Sequence, residues 1–258
     1  MGAGQSCSQP RSQEGATPPR ASPHSIRWPV NIHFWDDISF LHWPVAPEDT
    51  ARLLPKELTV LTHGGKAWVS VTPFCMRVRL PGMPFVPPRW TFPETNVRTY
   101  VVGPDGREGL WFLRMEVTAI WFVATLRTLG LPYFRNRMGG EVRNDRASYS
   151  SQPHPWSSGG GHRIVLSVGE RLRPPEGGPW DRFVTARWGA FHRRGPLLLY
   201  TPVEHRPWNL YHARIETCSV DGLIDAAGLP ALTGPPRAHF SPGVRVRVGL
   251  PNVVTHTG

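Results

Sequence analysis

Lysine is nearly absent from this sequence. Of the 29 basic residues only Lys56 and Lys66 are lysines, and the other 27 are arginines. Cysteine is scarce too: Cys7, Cys75 and Cys218 stand far apart. An odd set of isolated cysteines argues against a disulfide framework and for a reducing compartment. With no HExxH and no close His/Cys cluster, it also argues against a metal site. No apolar run approaches the ~18 residues of a membrane span, and the N-terminus lacks the apolar stretch of a secretory signal. A cytoplasmic protein is expected. Familiar catalytic patterns are missing as well. There is no GxSxG elbow, no P-loop and no GxGxxG fingerprint, and the glycines at 159–161 precede a strand-like segment rather than a helix. Cys75, in the apolar stretch TPFCMRV, reads as a core residue rather than a nucleophile.

What is present is basic, aromatic and heavily punctuated. The formal charge is +10, but no basic run of five or more occurs; the densest groups are pairs such as Arg193–Arg194 and Arg135/Arg137. A solvated basic surface accounts for this charge, so nucleic acid is not the expected partner. The 258 residues, 40% of them hydrophobic and eleven of them tryptophan, suffice for one domain with a sizeable core. The 29 prolines and 26 glycines interrupt the chain too often for long helices, which favours short strands joined by turns.

Residues 1–25 are rich in Ser, Gly, Pro, Gln and Arg and read as a flexible tail ahead of a single domain over 26–258. Inside the tail, MGAGQS fits the N-myristoylation pattern, with Cys7 as a second acylation candidate, but so short a pattern often matches by chance and no membrane attachment is expected. Strands are expected over 31–45, on both sides of the turn His63–Gly65, over 91–102 and 107–117 around the turn GPDG, and over 140–152 and 162–170. They are expected again over 196–217 with a break at Pro207, and over 243–251. Helices are expected at 46–58, capped by Asp49 or Thr50 and stopped by Pro55, and from Pro179. The stretch VTAIWFVATLRTLG, closed by Gly130 and Pro132, predicts a helix buried on most faces; a short helix or turn follows at 222–230.

The chemistry-bearing residues begin with TFPETNVRTYV (91–101). In a strand, Glu94, Asn96, Arg98 and Tyr100 share one face. With same-face neighbours about 6.5–7 Å apart, Glu94 and Arg98 do not simply pair. In a pocket, Arg98 would grip a carboxylate and Glu94 would move a proton if burial raised its pKa. On an outer face the same row would carry cross-strand ion pairs, and periodicity alone favours that outer face. Arg114 and Glu116 share the parity of Leu110 and Phe112, and a regular hairpin would bring them near Glu94, as a charged pocket or as an ion-pair network. His205, in VEHRPWNL, is a candidate proton carrier or a buried, singly bonded histidine.

The stretches FLHWPV, LLPKELTV, GGKAWVSVTPFCMRV, FPETNVRTYV, GLWFLRMEV, GLPYFRNRM, RFVTARWGAF and VEHRPWNLYHARI resemble, in order, the motifs of the YqjF-like family of uncharacterised proteins. That family is grouped with the acetoacetate decarboxylase-like superfamily. The resemblance spans about residues 28–250. It implies an α+β, mostly antiparallel fold: a cone-shaped β-barrel around a pocket, with a few flanking helices. It also implies that the row of Glu94 faces that pocket. The decarboxylases carry a Schiff-base lysine after the central helix, the example by which depression of a lysine pKa by a neighbouring cation is usually taught. Here the matching stretch GLPYFRNRM has Tyr133, Phe134 and Arg135 instead. Lys66, after a hairpin turn, and Lys56, after Pro55, should be solvated, and arginine does not form the imine.

The expectation is therefore a pocket for a small anionic, keto-acid-like ligand without a cofactor. Arg98 and Arg137 would hold the anion, with Asn96, Tyr100, Arg114 and Glu116 around it. Glu94, with Tyr100 or Tyr133, and His205 would handle protons. The chemistry would be that of an imine-independent lyase, hydratase or isomerase; the alternative is a non-catalytic sensor or partner-binding module. A homo-oligomer is compatible with either.

Overall fold

The computed structural model describes residues 12–155, 160–173 and 177–255. The acylation pattern with Cys7 and most of the loop expected at 157–161 lie outside them. The chain forms β1 (Ser12–Glu14), β2 (Asn31–Val45), the one-turn helix α1 (Pro47–Ala51), β3 (Thr59–His63), β4 (Lys66–Arg79), β5 (Thr91–Val102), β6 (Glu108–Val117) and helix α2 (Ile120–Arg127). Then follow β7 (Tyr133–Arg143), β8 (Arg146–Pro153), β9 (His162–Arg171), α3 (Pro179–Thr185), β10 (Gly189–Arg194) and β11 (Leu197–His205). The last elements are β12 (Tyr211–Ser219), α4 (Asp221–Ala226), β13 (Arg237–Val248) and β14 (Asn252–Val253).

Among the described residues these strands make one continuous, mostly antiparallel sheet, with parallel pairing at β1–β3, β6–β7 and β6–β10. The sheet forks at two strands. The first half of β6 pairs with β10 at Leu110 and Trp111, and its second half with β7 from Met115 to Val117. Likewise β13 pairs with β12 at His239 and Phe240, and with β11 from Val246 to Val248. Two closed circuits therefore share the wall β6–β5–β4–β2–β13. One returns through β11 and β10, the other through β12, β9, β8 and β7. This is the mostly antiparallel barrel architecture expected above.

The shared wall has no solvent face over most of its length. In β4, Val69 and Val71 are buried on one side, and Ser70, Thr72 and Phe74 on the other. A strand buried twice loses the alternation that marks an outer face. The longer circuit is filled by a cluster including Leu41, Val71, Val97, Ile164 and Leu166, with Leu223 and Ile224 from α4. A second cluster, with Phe40, Phe74, Met115, Phe122 and Tyr133, joins the wall to α2.

Several local expectations are corrected. The strand expected over 140–152 is two strands, β7 and β8, joined at Asn144 and Asp145, both at positive φ (47° and 57°). Asn and Asp accept that conformation, so they close a two-residue hairpin. Helix α1 is one turn, not thirteen residues. Pro47 opens it after Ala46, without an Asp49 or Thr50 cap, and Pro55 disfavours helical geometry just ahead of itself. Helix α2 buries Phe122 and Val123 but leaves Ile120 and Trp121 exposed, because it lies on the barrel with one face only. From Ser12 on, the segment read as a tail is bonded to the domain. β1 pairs with β3, the Glu14 carboxylate accepts from Thr62 Oγ1 and Gly64 N at 2.8 Å each, and Trp188 Nε1 donates to the Pro19 carbonyl. Among the described residues no helix is long and apolar enough to cross a membrane.

Candidate functional site

Because β5 belongs to the shared wall, both of its faces are covered. Glu94 (1% exposed), Asn96, Arg98 and Tyr100 are all buried, so the row is not an outer surface. Beside it lies a cavity of about 260 Å³. Glu94, Asn96 and Arg98 line it from β5, Tyr133 from the start of β7 and His205 from the end of β11. Tyr100 stops short of the lining. Its hydroxyl donates to the Val184 carbonyl at 2.8 Å and lies 2.5 Å from Ser70 Oγ, which meets His42 Nδ1 at 2.6 Å.

Arg98 is the unusual charge. It is buried, its guanidinium lies 5.5 Å from the Phe40 ring centre, and no carboxylate among the described residues pairs with it. Burial pushes its pKa down; Tyr100, a hydrogen-bond partner, opposes the shift. A second guanidinium lines the same cavity from the turn after α3. Arg187 is buried and pairs with Glu108 at 3.4 Å, yet its Nε and Nη2 have no partner, nor has Arg98 Nε. Burial pushes Arg187 down, Glu108 opposes, and the Arg98 charge adds to the depression. Sequence reasoning missed Arg187. The stretch RFVTARWGAF belongs to the family pattern, but no spacing relates Arg187 to Arg98, 89 positions earlier in the chain.

At Glu94 the sign is reversed. Burial pushes its carboxyl up to about 8, with hydrogen bonds from Asn96 and Tyr133 opposing. Tyr133 Oη lies 3.4 and 3.5 Å from the two carboxyl oxygens. Glu94 is therefore mostly an un-ionised acid at neutral pH. His205 has the opposite role. Its Nδ1 meets the Arg206 carbonyl at 2.7 Å, so Nδ1 carries the proton and Nε2 the lone pair. Burial first, and Arg98 after it, push its pKa to about 4, leaving it neutral. Three β2 residues absent from the sequence-based set also line the cavity with unpartnered polar atoms: Asn31 Oδ1, both ring nitrogens of His33, and Trp35 Nε1.

The remaining expected residues lie elsewhere, and a β-bulge is the reason. Val97 pairs with Arg114 but Arg98 pairs with Phe112, so the register shifts by one residue at Leu113. Beyond the bulge Met115 takes the cavity face opposite Asn96, and Arg114 and Glu116 turn into the longer circuit. There Glu116 Oε1 accepts from Arg114 Nε at 2.9 Å and Glu116 Oε2 from Ser151 Oγ at 2.6 Å, and Asn136 Nδ2 donates to Ser151 at 2.9 Å. Burial would raise the Glu116 pKa, but hydrogen bonds from His162, Ser151 and Arg114 overcome it and hold it at about 2. This is an internal ion-pair network, the second of the two arrangements its charges allowed. Arg137 is exposed on β7 and off the cavity wall.

The site contains no lysine. Lys56 and Lys66 are both exposed. Where the resemblance put the imine-forming lysine, Tyr133 enters the cavity, Phe134 lies 4.0 Å under Arg114 in the longer circuit, and Arg135 is exposed. Among the described residues no cluster of three or more His, Cys, Asp or Glu has metal-binding geometry.

This fold is that of the acetoacetate decarboxylase-like enzymes. An acetoacetate decarboxylase-like enzyme from Sphingomonas wittichii RW1 superposes with a TM-score of 0.61 at 13% identity, covering 91% of this chain and 97% of that one. The enduracididine biosynthesis enzyme MppR complexed with pyruvate superposes with a TM-score of 0.63 at 15% identity, covering 92% and 95%. Residues 33–245 match DUF2071, described as an uncharacterized conserved protein, and the chain belongs to that family. It is also 30% identical over 209 residues to the uncharacterized protein YqjF of Bacillus subtilis (strain 168), covering 80% of this chain and 85% of YqjF.

Proposed function

We propose that the cavity binds a small keto-acid-like carboxylate, held by Arg98 and Arg187, beside an un-ionised Glu94–Tyr133 pair. The observation that carries this reading is a pair of buried arginines on one cavity: Arg98, with no carboxylate partner among the described residues and an unpartnered Nε, and Arg187, whose Nε and Nη2 are unpartnered beside its Glu108 ion pair. An uncompensated buried charge costs several kcal/mol, and a carboxylate ligand offsets that cost through charge-assisted hydrogen bonds. The structurally similar enzyme MppR, complexed with pyruvate, is consistent with this class of ligand.

The same geometry favours chemistry without an imine. Both lysines are exposed. Glu94, protonated at neutral pH, can donate to a ligand carbonyl oxygen, and His205 Nε2 can accept a proton. An acid and a base with separated pKa values support enolisation, the step shared by an imine-independent lyase, hydratase or isomerase.

Deuterium exchange at C3 of 2-oxo acids, followed by NMR in the wild type and in Glu94→Gln, tests the reading. Exchange by the wild type that falls at least tenfold in Glu94→Gln supports catalysis. Binding with no exchange in either protein assigns the cavity to sensing. Failure of every carboxylate to bind sinks both.

A further inference from the structure

We infer that the ligand of this cavity is a monocarboxylate with a medium-length aliphatic or aryl tail, rather than a three-carbon keto acid or a short diacid. The inference rests on the carboxylate reading above and deepens it.

Size is the first argument. About 260 Å³ corresponds to roughly nine water volumes, far more than a three-carbon acid fills. The wall is the second. Phe74, Met115, Phe122, Leu126, Leu129 and Leu131 line it. Several polar side chains on the wall already have protein partners. His192 meets the Leu129 carbonyl at 2.8 Å and Thr201 Oγ1 at 3.1 Å, and Trp208 Nε1 donates to the Thr185 carbonyl at 3.0 Å. Water needs two to four polar partners to occupy such a space well, and most of this wall does not offer them.

The distribution of charge is the third argument. Arg98 and Arg187 line the same cavity and each keeps guanidinium nitrogens without a partner, so both are available to one carboxylate. The other unpartnered row, Asn31, His33 and Trp35, carries no cation at neutral pH, because burial pushes the His33 ring down to about 4. It accommodates a neutral polar group on a tail but gives no reason for a second carboxylate.

Isothermal titration of the whole protein at neutral pH with pyruvate, 2-oxobutanoate, 2-oxohexanoate, 2-oxooctanoate, 4-phenyl-2-oxobutanoate and 2-oxoglutarate tests this. The expected result is affinity rising about fourfold per added methylene until the chamber is full, with 2-oxoglutarate weaker than 2-oxohexanoate. In Leu129→Trp the optimum moves to shorter chains. Affinity independent of chain length, or best for 2-oxoglutarate, overturns the inference while leaving the carboxylate reading intact. Absence of binding by every acid overturns both. The chain-length series needs only the wild-type protein, so its outcome does not depend on a variant folding.

Discussion

The hydroxyl of Tyr133 sits 3.4 and 3.5 Å from the two carboxyl oxygens of Glu94, where the superfamily resemblance called for a lysine. A lysine there would lie beside the carboxyl as a cation. A tyrosine brings no charge, and burial outweighs the hydrogen bonds from Asn96 and Tyr133 and keeps Glu94 protonated.

Glu94 makes stability fall as pH rises. Its folded pKa of about 8 lies above the ordinary 4.5, so the native state holds the proton more tightly than the unfolded chain. Its stabilising contribution is complete below about 4.5 and is lost as pH rises through about 8. Relative to wild type, Glu94→Gln should be unchanged at pH ~5 and more stable at pH ~8.5, by on the order of 4 kcal/mol. Urea unfolding at both values measures this; equal differences at the two would refute it.

His33 and His205 act in the other direction. Burial lowers each from 6.5 to about 4. Their contribution is present above about 6.5 and is lost as pH falls through about 4. His33→Gln should therefore lose less stability than wild type between those values, by about 2–3 kcal/mol, as denaturant titrations at the two ends would show.

Arg98→Met should stabilise the ligand-free protein by ~1–3 kcal/mol, because it replaces an unpaired buried cation with an apolar side chain of similar length. Thermal unfolding should show a higher midpoint, and calorimetry should show carboxylate binding lost. A lower midpoint would mean that Arg98 has a structural anion partner.

Glu116→Gln tests the other circuit. Breaking the Arg114–Glu116 pair should destabilise the fold by ~3–5 kcal/mol, with cavity affinity within about twofold of wild type for whatever acid binds. A selective loss of binding at normal stability would bring Glu116 back into the site.

Gly130→Ala should cost more than ~2 kcal/mol in chemical unfolding. Gly130 has a φ of +83°, and an added Cβ would lie 1.7 Å from the Arg193 carbonyl oxygen. This turn fixes Leu129 and Leu131 in the cavity wall, so weaker binding of long-chain acids should accompany the loss of stability.

Much of the secondary structure followed from local chemistry. The turns at His63–Gly65 and 103–106, the break at Pro207 and the helix from Pro179 lie where glycine and proline geometry put them. The Asn144–Asp145 hairpin is encoded locally too, because Asn and Asp tolerate the positive φ that such a turn needs. Of the site, Glu94, Asn96 and Arg98 were legible as one row because strand periodicity relates residues two apart. The scarcity of lysine needed no structure at all.

What the sequence could not decide was where that row points, and who joins it. Burial of both faces of β5 depends on two circuits closing around one wall, a relation among strands far apart in the chain. The side taken by Arg114 and Glu116 turns on one extra residue, Leu113, and parity inverts after any bulge. Arg187 reaches the cavity of Arg98 only because α3 and β10 return to the same wall. Local periodicity carries no information about such closures, so the placing of Arg98 and Arg187 on one cavity exists only in the tertiary structure.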